Sequence, residues 1–462
     1  VTHQRSAIGV VTQTRRRFSA LVRHDVTVTS PTDSASRTAI LDDLTWRGLI
    51  ADSTDLDALR DEASAGPITL YCGFDPTAPS LHMGNLLQIL TVRRFQLAGH
   101  RPLALVGGAT GLIGDPKESG ERTLNDIEVV HEWVARIRGQ LERFFDFGDA
   151  PNAAVMVNNY DWTVGLSTLE FLRDIGKHFS VNRMLDREAV AARLAAQGIS
   201  YTEFSYQLLQ SYDYLQLHQQ YGCTLQTGGS DQWGNITAGV DLIRRVTTHR
   251  VNALTTPLVT KADGTKFGKT ESGTVWLDPA LTSPYAFFQF WLGVEDSITA
   301  KLLRMFSFRT HSEIESLEVE IAERPHERAA QRALAEELTD LVHGEAERLK
   351  VQAAAAALFG KGEVADLDEA TLSAALAEAP SAEITSSEWA EGITVADALA
   401  RTGLVAGKGA GRRTISEGGA SVNNVRITDE NAVLTDAELL DGGWILIRRG
   451  RRHIGGLRVL KT

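Results

Sequence analysis

Apolar positions fall at helical spacing from Ile40 onward, where Leu41, Leu44, Trp46 and Leu49 open an amphipathic helix. Ile68 to Tyr71 is a short buried strand that runs into Gly73-Phe-Asp-Pro76, a turn. The next helix is expected to start near Gly84, to carry Leu86, Leu87, Ile89, Leu90 and Phe95, and to end at Gly99. Leu103 to Val106 reads as another strand, followed by the glycine-rich Gly107-Gly-Ala-Thr-Gly111. Strand, helix and strand in so short a stretch make a βαβ unit with a parallel sheet. Val130, Trp133, Ile137, Leu141 and Phe144 continue the helical spacing.

From Ser283-Pro284 the pattern is helical only. Ser283 suits an N-cap and Pro284 the first helical position. Pro325 opens a long helix through the Ala-rich stretch to about Gly360. Residues 361–391 are acidic, small and weakly patterned, and read as a linker or a poorly packed joint. A compact module should follow: helices over 395–401 and 409–417, then strands near 420–423 and 444–448. The domains expected are a tail at 1–37, an α/β parallel-sheet domain at 38–282, an α-helical domain at 283–360, the linker, and a small α+β domain at 392–462.

Composition narrows the class. The 462 residues are 43% hydrophobic and 23% charged, a globular balance too long for one ordinary core. No apolar run reaches 18 residues, so nothing is expected to span a membrane. Cys72 and Cys223 suffice for neither a disulfide framework nor a four-cysteine zinc site, which points to a reducing compartment. The net charge of −12 is uneven: residues 393–462 carry 11 Lys/Arg against 7 Asp/Glu, so a basic module ends an acidic chain. That is a local nucleic-acid signal. Residues 1–37 hold six arginines and two aspartates with little periodicity. They read as a loose tail or a start site placed too early, since Val1 begins the chain and the first methionine is Met83. A mitochondrial transit peptide is the alternative, so the compartment expected is the cytoplasm, with the mitochondrial matrix behind it.

Two motifs carry the chemistry. His82-Met-Gly-Asn85 lies where a strand turns into a helix, and free N–H groups and the positive helix end suit a triphosphate. Gly84 permits close approach of adenine or ribose, and His82 can donate to phosphate without full charge. Lys266-Phe-Gly-Lys-Thr270 follows a turn-rich stretch, 184 positions later, and reads as a mobile loop able to close on pyrophosphate. Alone, each reads as an ordinary helix start or a solvated loop; together they suggest one ATP held from two sides.

The stretch Tyr71-Cys-Gly-Phe-Asp-Pro-Thr-Ala-Pro-Ser-Leu-His-Met-Gly-Asn85 resembles the first signature of class I aminoacyl-tRNA synthetases in its tyrosine-specific form. The family usually ends this motif with His, where Asn85 still offers the ribose a hydrogen bond; Gln88 stands where a small polar residue is frequent. Lys266 to Thr270 resembles the family's Lys-Met-Ser-Lys-Ser signature. Gly107 to Pro116, Phe204-Ser-Tyr-Gln-Leu-Leu-Gln-Ser-Tyr-Asp213 and Gly228-Gly-Ser-Asp-Gln-Trp-Gly-Asn235 resemble bacterial-type tyrosyl-tRNA synthetases closely. In the loop after Asp115-Pro116, Arg122 matches a family arginine and Lys117 is the available lysine. Ile393 to Leu404 with Arg412 to Asn424 resembles the S4 RNA-binding domain. The resemblance covers about residues 41–462 and implies a Rossmann-like catalytic domain, an α-helical domain and an S4-like module.

The resemblance also implies roles. Asp75, Thr77, His82, Gly84, Asn85, Asp231, Lys266 and Lys269 would hold ATP, with Lys266, Lys269 and Thr270 stabilising the leaving pyrophosphate. Asp115, Tyr206 and Gln210 could take the substrate ammonium, Tyr206 and Gln210 sharing a helix face. Asp213, on the same stripe, could accept the phenolic proton while Tyr71 donates to the phenol oxygen, and Gln232 would lie near the carboxylate. A buried polar pair refuses phenylalanine, and this enzyme class is itself the reference case, with roughly 10⁵ discrimination and no editing. Lys408, Arg412, Arg413, Arg448 and Arg449, with Arg451 and Arg452, would contact tRNA phosphates. The substrates implied are L-tyrosine, tRNA(Tyr) and ATP with Mg²⁺. No tightly bound cofactor or metal is expected, and a homodimer is implied. The rivals are a tryptophanyl synthetase, which shares the fold, and an RNA-binding protein on a retired synthetase scaffold.

Overall fold

A computed structural model describes residues 34–116, 120, 124–196, 198–270, 273–450 and 453–460. The readings placed on residues 1–33, Lys117, Arg122, Arg451 and Arg452 lie outside the described residues, as does the side chain of Thr270.

The catalytic-side sheet has six strands: β1 (Asp52–Ser53), β2 (Thr69–Phe74), β3 (Arg101–Val106), β4 (Val155–Asn158), β5 (Leu225–Gly229) and β6 (Asn252–Thr256), in the order β1-β6-β5-β2-β3-β4. All neighbours are parallel except β1 on β6. The chain builds outward from β2 to β3 and β4, then returns to β2's other side to lay down β5 and β6. The order therefore reverses between β2 and β5, and ligands of such sheets bind beyond the strands' carboxyl ends at that point. Phe74 leads into Asp75 there, and Gly229 into Asp231.

β2 and β3 are largely buried on both faces, which explains their near-continuous apolar character, whereas β6 is buried throughout yet carries Asn252, Thr255 and Thr256. Register pairs Tyr71 with Leu103 on one side and with Gln226 on the other. β2 runs through Gly73 and Phe74, where the sequence suggested a turn, because pairing with β3 continues to Val106. The first helix begins at Ser34, earlier than its apolar pattern announced. Gly99 lies just past the helix Met83–Leu97 with φ +95°, as its sequence position suggested.

The helical region contains Pro284–Leu292, Asp296–Phe306, His311–Glu323, Ala329–Val342, Glu345–Leu358 and Glu369–Ala377. Ser283 caps the first of these by accepting from the Ala286 N–H, with Pro284 at its start. The single long helix expected after Pro325 is two helices, because His343-Gly344 breaks it and Gly344 has φ +96°. The segment 361–391 is not a bare linker. It holds the helix Glu369–Ala377, the strand β9 (Ser381–Ile384) and the helix Ser386–Glu391. Leu372, Ala375 and Leu376 are buried in the main core, and Ile384 in the C-terminal one.

A second sheet closes the chain. β10 (Ala420–Val422), β11 (Val425–Arg426), β12 (Trp444–Arg449) and β13 (His453–Val459) join β9 in the order β11-β10-β12-β13-β9. β9 lies parallel to β13 and the other pairs are antiparallel. The helices Val395–Arg401 and Lys408–Ser416 supply Val395, Leu399 and Ile415 to its core. Among the described residues no helix is long and apolar enough to cross a membrane.

Candidate active site

The first motif is a helix cap. His82 Nδ1 accepts from the Gly84 N–H at 3.1 Å, and Asn85 Oδ1 accepts from the His82 N–H at 3.0 Å, a reciprocal pair that starts the helix Met83–Leu97. Nδ1 is thus the acceptor, so the neutral ring carries its proton on Nε2 and offers an N–H. Burial, with Lys266 and Lys269 nearby, holds the His82 pKa below its ordinary value, so the ring stays neutral at pH 7. The cap uses Asn85 Oδ1, which leaves Nδ2–H as the group a ribose could meet. Gln88 Nε2 donates to Thr256 Oγ1 and ties this helix to the end of β6. Gly84 and Thr77 are exposed.

The two motifs meet. Gly268 has φ +87°, and a Cβ there would come within 2.5 Å of Met83 Cβ. The Met83 N–H donates to Val275 O, and the Val275 N–H to Gly268 O. Phe267 is 9% exposed and packs against Phe290, Trp291 and Phe306. The loop is therefore anchored at its phenylalanine, while Lys266 and Lys269 on either side are exposed. Lys269-Thr270 forms the short β7, paired with β8 (Gly273–Thr274). The loop expected to be mobile is tethered at its middle.

The residues that the resemblance assigns to a tyrosine pocket converge near the carboxyl ends of β2, β3 and β4. Asp213 is 2% exposed; its carboxylate accepts from Trp162 Nε1 at 2.8 Å and Asn159 Nδ2 at 2.9 Å. Burial pushes its pKa up to about 7 against the opposing pull of those two donors. The Tyr71 hydroxyl is fully buried with no hydrogen-bond partner, and burial and the Asp213 charge both drive its pKa up. Gln210 Oε1 is likewise buried and unpartnered.

The residues expected to take the ammonium lie in a connected network. Tyr206 Oη donates to Asp75 Oδ2 at 2.6 Å, Thr110 Oγ1 donates to Asp75 Oδ1 at 2.7 Å, and Asn159 Nδ2 reaches Thr110 Oγ1 at 2.8 Å. Tyr206 spends its proton on Asp75, so its oxygen is left with lone pairs to accept. A Cβ on Gly107 would fall 1.9 Å from Asp75 Oδ1, so only glycine fits beneath this carboxylate. Asp115 accepts from Gln232 Nε2 at 2.9 Å and Asn235 Nδ2 at 3.1 Å. Asp231 is exposed and lies over Gly229 at the end of β5. Tyr206, Gln210 and Asp213 share the helix Tyr201–Tyr221. Asn159 and Trp162 lie outside the motifs read from the sequence, and Thr110 and Asn235 lie inside two of them without a role of their own. Their partners lie far away in the chain, so no local pattern marks them. Cys72 is buried and its thiol pushed up to about 12, so it stays protonated.

Comparison with known proteins decides between tyrosine and tryptophan. A family model described as "tRNA synthetases class I (W and Y)" matches residues 63–360, and one described as "Tyrosine--tRNA ligase SYY-like C-terminal domain" matches residues 371–454. The "Tyrosine--tRNA ligase" of Streptomyces avermitilis is 61% identical over 424 residues, covering 91% of this chain and 99% of that one. The chain belongs to the tyrosine–tRNA ligases. The ligase of Streptomyces coelicolor is 60% identical over 424 residues, with the same coverage of 91% and 99%. A crystal structure of a C-terminally truncated mitochondrial tyrosyl-tRNA synthetase from Aspergillus nidulans superposes with a TM-score of 0.62 at 28% identity, covering 74% of this chain and 98% of that one.

The basic residues of this ligase's C-terminal module divide. Arg412 and Arg413 are exposed on the helix Lys408–Ser416. Lys408 Nζ is half-exposed and paired with Asp397 at 2.8 Å. Arg449 is exposed, its Nη1 donating to Leu404 O at 2.9 Å. Arg448 corrects the sequence reading: it is 8% exposed and donates to Asn424 Oδ1 at 2.8 Å. Successive residues of β12 point to opposite faces, so adjacent arginines cannot both meet one phosphate surface.

Proposed function

We propose that this chain joins L-tyrosine to tRNA(Tyr) in two displacements. The tyrosine carboxylate attacks the α-phosphorus of ATP and expels pyrophosphate; a 3′-terminal ribose hydroxyl of the tRNA then attacks the carbonyl of the tyrosyl adenylate and releases AMP. No side chain forms a covalent bond, so the protein acts by alignment and by stabilising phosphate charge. His82, through its Nε2–H, and Lys266 and Lys269, through their charge, act on the triphosphate, which brings Mg²⁺ with it. Thr270 assists there. Asp75, Thr77, Gly84, Asn85 and Asp231 bound the adenosine. Asp115, Tyr206 and Gln210 take the ammonium, and Gln232 lies by the carboxylate.

One observation carries the choice of amino acid: the buried, unpartnered Tyr71 hydroxyl in the same pocket as the buried Asp213 carboxylate. A phenol O–H suits both, donating to Asp213 and accepting from Tyr71, whereas phenylalanine leaves the Tyr71 hydroxyl unpaired and brings Asp213 no further donor beside Trp162 and Asn159. Arg412, Arg413, Lys408 and Arg449 grip tRNA on the S4-like module. The boundaries that serve this reading are a catalytic domain at 38–282, a helical domain at 283–360 and an RNA-binding module that takes in β9. The chain works as a cytoplasmic homodimer. The bacterial source of the curated ligases above supports the compartment. The exposed Val164, Leu169, Leu172, Val181 and Tyr201, close together in sequence, support a self-contact.

The two-step order is tested by mixing the protein with tyrosine and α-labelled ATP without tRNA. Labelled adenylate should remain with the protein through gel filtration and discharge as AMP only when tRNA(Tyr) is added. AMP release that requires tRNA from the outset, with no retained adenylate, contradicts it.

A further inference from the structure

β12 serves two cores. Ile445 and Ile447 lie in the core of the C-terminal module, whereas Trp444 and Leu446 belong to the core shared with the helical domain. Arg448 continues the second face by strand alternation. Trp444 Nε1 donates to Ser373 Oγ at 2.9 Å, on the helix Glu369–Ala377. Arg448 Nη1 donates to Asn424 Oδ1, and Asn424 Nδ2 donates to Ala357 O at 2.7 Å. Ala357 is in the last turn of the helix Glu345–Leu358, and a Cβ on Gly360 just beyond would come within 2.8 Å of Arg448 Nη1. A guanidinium is thus buried at the negative end of a helix of the helical domain, where its charge is favoured. Asn424 makes the bridge from the Asn423-Asn424 turn between β10 and β11, with φ +67°, so a tight hairpin tip reaches across.

We propose that Arg448 is a positioning residue for tRNA charging, pinning the C-terminal module to the helical domain through Asn424 and Ala357. This rests on the reading that the module grips tRNA while chemistry proceeds at the sheet's switch point. Two contact surfaces held on one body bind a long ligand with high effective concentration, and a loose joint dilutes the second contact. The pin fixes the span between the exposed Arg412–Arg413 surface and the adenylate site without touching tRNA.

Full-length Asn424→Gly is the decisive variant, because glycine keeps the left-handed turn and removes both bridging bonds. Arg448→Gln accompanies it. Tyrosine-dependent ATP–pyrophosphate exchange should stay within about twofold of the parent in Asn424→Gly, while KM for tRNA rises roughly tenfold, the scale of lost effective concentration. The double variant should be no worse than either single one, because both remove the same link. An unchanged KM for tRNA in Asn424→Gly overturns the pin. So does a parallel fall in exchange and charging, the mark of a general fold defect. Arg412→Ala/Arg413→Ala separates the two readings. A raised KM for tRNA there with normal Asn424→Gly rejects the pin alone, whereas an unchanged KM there removes the grip on which the pin rests.

Discussion

In the proposed pocket, Tyr71 and Asp213 would trade stability for selectivity. The Tyr71 hydroxyl is buried without a partner, and such a group costs free energy in the free protein. Tyr71→Phe should therefore leave the melting temperature unchanged or higher, while kcat/KM for tyrosine falls roughly tenfold, the worth of one neutral hydrogen bond. Calorimetry beside steady-state kinetics checks both halves; a destabilised Tyr71→Phe protein would show that the hydroxyl has a structural partner. Asp213 adds a pH signature. Its pKa is pushed up to about 7, above the roughly 3.9 of an unfolded aspartate. The native state therefore holds an extra proton between about pH 4 and 7, and this group's contribution to stability falls as pH rises through that window. The proposed role runs the opposite way, because it needs the ionised carboxylate to accept from the substrate phenol. KM for tyrosine should rise as pH falls below 7, and a KM flat from pH 8 to 6 would remove Asp213 from that role.

The elements divide into those whose cause is local and those whose cause is distant. His82 to Asn85 was legible as a helix start because a capping box is written within four residues. The Tyr206-Gln210-Asp213 row was legible because one helix face repeats on a fixed spacing. The Lys266–Thr270 loop was read as mobile because its glycine is visible in sequence and its anchors are not: Phe267 packs on Phe290, Trp291 and Phe306, and Gly268 on Met83. Asn159 and Trp162 were missed for the same reason, since their partner Asp213 lies more than fifty positions on. Gly268→Ala tests the anchoring. A Cβ at φ +87° and 2.5 Å from Met83 must shift the loop, so kcat for adenylate formation should fall at least tenfold while tyrosine binding is kept. Normal turnover in Gly268→Ala would mean that the loop need not seat on Met83.

At the scale of the whole molecule, the segment expected to be a linker or a poorly packed joint is a well-packed one. Acidic, small residues over 361–391 conceal a helix in the main core and a strand, β9, that pairs with β13 at the far end of the sequence. Strand partners so distant leave no local pattern, which explains why β9 and β13 went unread. Truncation after residue 392 would strip β13 from β9 and uncover the helix Glu369–Ala377. That protein should melt lower and bind more hydrophobic dye than one ending at 360, and the reverse order would contradict the shared core. Selection of tyrosine is proposed to lie in the pocket between the two motifs. Tyrosine-dependent ATP–pyrophosphate exchange measures that most directly, with tyrosine, phenylalanine and tryptophan offered in turn to the parent chain and to Asp213→Ala. The prediction is rapid exchange with tyrosine, exchange with phenylalanine lower by roughly 10⁵ as in this enzyme class, none with tryptophan, and loss of the tyrosine signal in a folded Asp213→Ala protein. Exchange with tryptophan and not tyrosine, no exchange at all, or unchanged tyrosine kinetics in Asp213→Ala would contradict it.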